Sequence, residues 1–189
     1  MVSAFRPKHV LWVVLLALGL VAAYAGILRA SGNFHIVIPH QLYRSAQPTP
    51  RELQRYIRDY GIRTVINLRG PNPDKAWYRD EVAVAKEAGV THIDFRMSAR
   101  HILSPARAEK LIAIMRTAQK PILVHCEGGA DRSGLISAIY VSEVAHEGEH
   151  AAEGQLSLFY GHIAIPYFAA YAMDESWERL EPVFGFKGS

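Results

Sequence analysis

Residues 125–134 read H-C-E-G-G-A-D-R-S-G and include Cys126, the only cysteine of the chain. Five positions separate this thiol from Arg132, and the small residues among them allow a tight loop whose backbone N–H groups converge on one point. A thiolate at this spacing from a guanidinium can capture a phosphate, because the sulfur attacks phosphorus while the N–H groups and the arginine hold the oxygens. The stretch therefore predicts a phosphate-binding loop.

The residues around the thiol each have a physical role in such a loop. Gly128 and Gly129 let the backbone turn without a Cβ in the way. Arg132 offers a bidentate fork to two phosphate oxygens, and the N-terminus of the following helix adds positive charge beside the thiolate. Ser133 can donate its hydroxyl to the sulfur and so help the thiolate to leave. We expect His125 to hold the loop through hydrogen bonds rather than to react.

Composition and charge bound the class of protein. The chain has 189 residues, of which 50% are hydrophobic and 21% charged, and this suits one folded domain rather than a disordered chain. Three basic residues in segment 1–30 account for the net charge of +3, so segment 31–189 is formally neutral. We therefore expect no nucleic-acid partner. The neutral charge of segment 31–189 also argues against very highly phosphorylated substrates. A local basic pocket would make such substrates possible again.

Segment 1–30 is predicted to be a membrane anchor and segment 31–189 the catalytic domain. The uncharged run 10–28 has 19 residues, close to the ~20 that cross a bilayer as a helix. Its basic flank should stay in the cytoplasm, so the body would face the periplasm from a single-pass helix in the inner membrane. The alternative is a cleaved signal peptide, because A-Y-A at 23–25 fits the small-x-small pattern and would release the body into the periplasm.

Periodicity in the body predicts alternating strands and helices. The predicted strands are 64–68, 92–95 and 121–125, and the predicted helices are 51–59, 77–88, 104–117, 132–145, about 148–160 and about 167–180. This alternation indicates an α/β fold with a central, mostly parallel sheet flanked by helices. Ligands in such folds sit at the carboxyl ends of strands, where the cysteine falls.

At these residues the chain resembles a known family. The motif H-C-x-x-G-x-x-R-S is similar to the signature of cysteine-dependent tyrosine and dual-specificity phosphatases. The stretches 42–48 (L-Y-R-S-A-Q-P) and 65–69 (V-I-N-L-R) resemble its bacterial and fungal atypical branch, and the resemblance covers about residues 36–180. It implies a phosphocysteine formed at Cys126 and then attacked by water, with no metal and no cofactor. It assigns catalysis to Cys126, Arg132, Asp131 and Ser133, and phosphate binding to Glu127, Gly128, Gly129, Ala130, Asp131 and Arg132.

The general acid departs from the family's pattern. The family uses an Asp some thirty residues before the cysteine, on a loop after a strand, to protonate the leaving oxygen. The matching loop 97–104 contains no acid. Asp131 is the first candidate, since myotubularin-type phosphatases carry an Asp at that place, although it can equally be a loop-stabilising carboxylate paired with a neighbour. Asp94, in a predicted strand, and His101 are the alternatives.

The stretch 146–150 matches H-E-x-x-H, the pattern of zinc proteases. That mechanism needs both histidines on one face of an uninterrupted helix, and Gly148 stands between them. We predict a turn here and no metal site.

The loop alone leaves the substrate open. Phosphotyrosine or phosphoserine proteins are the first candidate, and a lipid or inositol phosphate at the membrane is the second. A chain with the cysteine and arginine but no acid is also compatible with a pseudophosphatase that binds phosphate without turnover.

Overall fold

The computed structural model describes the backbone of residues 7–186 and the side chains of residues 10–186. The basic residue Arg6 of the predicted anchor lies outside the described residues. The helices are α1 Pro7–Ala30, α2 Pro50–Tyr60, α3 Ala76–Glu87, α4 Pro105–Thr117, α5 Asp131–Glu143, α6 Glu149–Glu153 and α7 Ala172–Leu180. The strands are β1 His35–Ile38, β2 Leu42–Ser45, β3 Thr64–Asn67, β4 Thr91–Asp94 and β5 Ile122–His125.

The strands form one five-stranded sheet in the order β1-β2-β5-β3-β4. Only β1 pairs antiparallel to its neighbour, so the predicted mostly parallel α/β sheet is confirmed. β5 is central, and its last residue, His125, is in register with Ser45 of β2 and Asn67 of β3. The loops that follow these strands therefore leave the sheet side by side at its carboxyl edge.

Local sequence features explain the helices that were predicted and are present in the structure. In α2, Thr49 and Glu52 form a reciprocal capping box ahead of a proline in the first turn, and Gly61 ends the helix with φ +66°. In α5, nearly every residue after the first turn is buried. This helix lies in the core, so the cysteine-bearing loop is fixed between two buried elements, β5 and α5.

One predicted helix is wrong for most of its length, and another begins later than predicted. The helix predicted for about 148–160 is the short α6 followed by turns and a 3₁₀ turn, and the helix predicted from 167 begins only at Ala172. Gly161 and Tyr167 have φ of +82° and +77°, values that no α-helix accommodates. Large apolar residues between α6 and α7, such as Leu158, Phe159 and Phe168, are exposed instead of packed.

The H-E-x-x-H stretch does not lie in one helix: residues 146–148 connect two helices, and Glu149 and His150 begin α6. α5 ends at Glu143 and α6 begins at Glu149, and Gly148 between them has φ +90°. Its two histidines therefore do not share a helical face.

α1 is apolar over Val10–Ala30, and none of this stretch is buried in the protein. Among the described residues it is the one helix with the length and composition to cross a membrane, properties that a signal sequence shares.

Candidate active site

The Cys loop, residues 126–130, connects β5 to α5. The Cys126 thiol is 2% exposed, the Gly129 N–H donates to its Sγ at 3.2 Å, and Ser133 Oγ lies 3.6 Å from it. Both groups thus lie within reach of the sulfur as hydrogen-bonding partners. Gly129 has φ +72°, and a Cβ there would lie 2.5 Å from the backbone nitrogen of Ala46. The loop therefore requires glycine at this position.

The buried guanidinium of Arg44 holds the loop from behind. It donates to the carbonyls of Gly129 at 3.0 Å and Ala130 at 2.8 Å, and to the carbonyl of Gln155 at 2.8 Å. It also lies 4.0 Å from the ring centre of Tyr160. Burial lowers the pKa of Arg44 to about 10, so it stays charged at neutral pH. A fixed positive charge thus binds the loop carbonyls on the side away from the sulfur.

A buried carboxylate, Glu81 of α3, orients the residue before the thiol. Nε2 of His125 donates to it at 3.1 Å, Nε2 of His92 donates at 2.7 Å, and Gln47 donates to its second oxygen. Burial raises the pKa of Glu81, but these hydrogen bonds outweigh burial and bring the pKa to about 2. The ionised carboxylate can only accept, so it fixes the proton of His125 on Nε2. His125 therefore has the predicted hydrogen-bonding role. Its partner, Glu81, is a residue that the sequence patterns did not indicate.

Asp131, the first residue of α5, faces a buried histidine. Protonated His162 donates from Nδ1 to Asp131 at 2.8 Å and from Nε2 to Asp174 of α7 at 3.0 Å. Burial lowers the pKa of His162, but the bonds to the two carboxylates and their charges outweigh it and raise the pKa above its ordinary value. Asp131 thus joins the Cys loop to α7 through this histidine.

A cavity of about 660 Å³ opens beside the Cys loop and is called the arginine cavity. Arg132 lies in its wall, as do His101 and one carboxylate, Glu127. Its other charged residues are four arginines, Arg69, Arg96, Arg100 and Arg107. Segment 31–189 is formally neutral as a whole, but this cavity is a local basic pocket. The net charge therefore does not speak against highly phosphorylated substrates.

The three candidate acids lie in different surroundings. Asp94 ends β4, where its carboxylate accepts from Asn67 Nδ2 at 2.8 Å and from the Tyr78 hydroxyl at 2.5 Å. Asp131 is hydrogen-bonded to His162 and does not line the arginine cavity. His101 lines the arginine cavity together with Arg132.

A second cavity of about 610 Å³ reaches the Cys loop from the other side. Leu28 and Arg29 of α1 line it together with Glu127 and Gly128 of the loop. Asn33, just after the helix, donates to the Gly128 carbonyl at 2.9 Å. The apolar helix therefore ends directly beside the loop.

Comparison with known proteins agrees with this fold and loop. The family model described as DSP-PTPase phosphatase fused to NAD+ kinase matches residues 35–162. The match covers more than half of the chain, so the chain belongs to this family, and it is a phosphatase of the cysteine-dependent dual-specificity superfamily. Among curated protein sequences, none matches the chain.

Solved structures share the fold at low sequence identity. TpbA of P. aeruginosa is 22% identical with a TM-score of 0.62, over 82% of this chain and 92% of that one. PTPMT1 is 21% identical with a TM-score of 0.60, over 80% of this chain and 98% of that one. Tk-PTP is 18% identical with a TM-score of 0.55, over 78% of this chain and 97% of that one.

The carboxylate of Glu81 gives a prediction for stability against pH. Its pKa is depressed from 4.5 to about 2 on folding, so its stabilisation is complete above pH 4.5 and is lost as the pH falls toward 2. The wild-type free energy of unfolding should fall over this range by about 3 kcal/mol more than that of Glu81→Gln. Urea unfolding followed by tryptophan fluorescence at a series of pH values measures the difference. The exposed Glu87→Gln should follow the wild type, and parallel curves for Glu81→Gln would contradict the prediction.

Proposed function

We propose that the chain hydrolyses phosphomonoesters through a phosphocysteine at Cys126. The sulfur attacks phosphorus and the ester oxygen leaves with a proton; water then attacks the phosphocysteine, and the S–P bond breaks to return the thiolate and release phosphate. The observation that carries the proposal is the buried thiol with the Gly129 N–H at 3.2 Å and Ser133 Oγ at 3.6 Å, in a loop that leads to Arg132.

Each neighbour of the sulfur has a defined part in this sequence. The Gly129 N–H and the Ser133 hydroxyl stabilise the sulfur both as the attacking thiolate and as the leaving group. Arg132 forms a bidentate fork on the transferring phosphoryl group. The backbone N–H groups of residues 127–132 bind its remaining oxygens, and the N-terminus of α5 adds its partial positive charge.

His101 is the proton donor that the geometry favours. It shares the arginine cavity with Arg132, whereas Asp131 is occupied by His162 and Asp94 by Asn67. An imidazole can protonate a leaving oxygen and later accept a proton from water at neutral pH. Asp131 then has the loop-stabilising role.

Leaving-group dependence separates the donor from a structural residue. Loss of a general acid costs about 100-fold or more, and it costs most with an alkyl phosphate, whose leaving oxygen needs the proton, and least with p-nitrophenyl phosphate. We expect this selective loss in His101→Gln, and a similar loss on both substrates in Asp131→Asn. Steady-state kcat for the two substrates measures it. A selective loss in Asp131→Asn, Asp94→Asn or Glu127→Gln instead would reject His101 as the donor.

The arginine cavity favours a substrate with further negative charge near the reacting phosphate. Five arginines face one carboxylate across it, more positive charge than a single phosphoryl group requires. The end of α1 beside the loop places the site close to a membrane if this helix is the anchor. We therefore favour the lipid or inositol phosphate over the phosphotyrosine or phosphoserine protein. The neighbours include both kinds of complex, PTPMT1 with PI(5)P and TpbA with pTyr.

A substrate panel with matched arginine variants tests this choice. The panel contains phosphatidylglycerophosphate, an inositol phosphate, a phosphotyrosine peptide and p-nitrophenyl phosphate, with Cys126→Ser as the inactive control. Arg100→Gln should lower kcat/KM about 10-fold for the polyanionic substrates, the loss of one charge-assisted hydrogen bond, and leave p-nitrophenyl phosphate unchanged. Arg58→Gln, which changes an exposed arginine on α2 outside the cavity, should alter neither.

Three results would contradict the proposal. Higher kcat/KM for the phosphopeptide than for the lipid and inositol phosphates would assign protein phosphatase activity. Equal effects of Arg100→Gln on all substrates would remove the cavity from substrate selection. Binding of phosphate without turnover of any substrate would identify a pseudophosphatase.

A further inference from the structure

A run of exposed apolar side chains lies between α6 and α7. Residues 158–168 contain no Asp, Glu, Lys or Arg. The exposed members range from 44% for Ile163 to full exposure for Tyr167, and they are Leu158, Phe159, Ile163, Ile165, Tyr167 and Phe168. So many large apolar groups in one short segment require a covering surface.

The same segment packs against the last turns of α1. The Tyr24 hydroxyl donates to the Phe159 carbonyl at 2.6 Å. A Cβ at Gly161 would lie 3.0 Å from Leu28 Cδ1, so the segment and α1 touch here. Asn33 Nδ2 donates to the Tyr160 carbonyl at 2.9 Å and also to the Cys loop. The segment is thus joined to both the apolar helix and the candidate active site.

These contacts fix the depth of the segment once α1 spans a bilayer. At about 1.5 Å per residue the apolar stretch Val10–Ala30 is about 30 Å long, the thickness of the hydrocarbon core. Tyr24 lies six positions before Ala30, or about 9 Å along the axis from the helix end. Phe159, bonded to Tyr24, lies at about this level, which is the outer third of the hydrocarbon core, just below the interface.

The backbone of the segment is suited to that environment. Several of its N–H groups donate within the segment or to Ser157, among them those of Tyr160, Gly161, His162 and Phe168. Internal hydrogen bonds remove much of the cost of taking a peptide group out of water. Its one titratable histidine, His162, is buried toward the protein and bonded to Asp131 and Asp174.

We infer that residues 158–168 are a membrane-docking segment, which places its apolar side chains in the lipid interface beside the carboxyl end of α1. The inference rests on α1 being an uncleaved anchor. The segment and α1 then make two attachments to one leaflet and fix the orientation of the body. The Cys loop, bonded through Asn33 to this segment, is held at headgroup depth, where a lipid-borne phosphomonoester can reach the arginine cavity beside the loop.

The depth of a label on the segment tests the inference without any need for turnover. The full-length Cys126→Ser chain has no native cysteine, so Phe168→Cys in that chain gives a single site for an environment-sensitive fluorophore. Lys86→Cys is the matched control, exposed on α3 at the sheet edge opposite β1. Both proteins are reconstituted into phosphatidylcholine–phosphatidylglycerol vesicles that contain lipids with quenchers at the headgroup or along the acyl chain.

We expect the label at position 168 to be blue-shifted and quenched by shallow lipid quenchers, and the label at position 86 to be quenched only by aqueous iodide. Equal accessibility of the two labels to iodide would overturn the docking segment. A label at 168 shielded from iodide but untouched by lipid quenchers would also overturn it, in favour of contact between two copies of the chain. Release of the protein from the vesicles at alkaline pH would reject the anchor on which the inference rests.

The effect on turnover is measured separately. Phe159→Ser combined with Phe168→Ser should lower the rate on a vesicle-borne phosphomonoester at least 5-fold and leave soluble p-nitrophenyl phosphate unchanged, with Lys86→Ser as control. An equal loss on both substrates would contradict the docking role. Because depth is measured in an inactive chain, a failure of the proposed lipid substrate leaves the depth result intact and is distinguished from a failure of the docking segment.

Discussion

The carbonyls of Gly129 and Ala130 bond the buried guanidinium of Arg44, and the rest of the site depends on this interaction. A loop that directs N–H groups inward at a phosphate must direct its carbonyls outward, where buried acceptors need donors. Arg44 supplies these donors from β2, which lies parallel to β5 and in register with it. The mostly parallel sheet is therefore the support that puts a charged donor behind the Cys loop.

Two hydrogen-bonded pairs of a carboxylate and a buried histidine also limit the movement of this loop. Glu81 fixes His125 at its start, and His162 ties Asp131 at its end to α7. Breaking either pair would leave a charge unpaired inside the protein, which is strongly destabilising. The phosphate-binding geometry is thus already in place before substrate arrives, as electrostatic stabilisation of a phosphoryl transfer requires.

The chemistry-bearing part of the fold could be predicted from sequence because it is local. The order of β5, the Cys loop and α5 follows from a β-branched run, glycines and a helix start within a few residues, and the motif names the nucleophile. The partners Arg44, Glu81 and His162 are distant in sequence and meet the loop only through the register of the sheet and the packing of helices. Arg44 lay in a stretch that resembled the family, but no spacing rule gave its role.

The errors have physical causes as well. The sequence prediction lacks β1 and β2, although each has four residues, as do the predicted strands β3, β4 and β5. Length is therefore not the cause; β2 reads L-Y-R-S and lacks a continuous apolar run. The helices predicted on either side of 161–166 extend too far, to about Tyr160 and from about Tyr167, because a pattern cannot tell burial in a core from exposure at another surface. Residues 158–168 contact α1, so their exposed apolar side chains fit the proposed docking to a membrane. Such docking would place the candidate site next to a lipid substrate.

The central claim is that the reaction proceeds through a covalent bond between phosphorus and the sulfur of Cys126. Rapid quenching of the full-length protein during turnover of a phosphomonoester, followed by mass spectrometry of its peptides, tests this most directly. The account predicts a phosphoryl group on the peptide that contains Cys126, absent in Cys126→Ser and lost as phosphate is released. Turnover without a phosphorylated intermediate, or with phosphate on Ser133 instead, would contradict it.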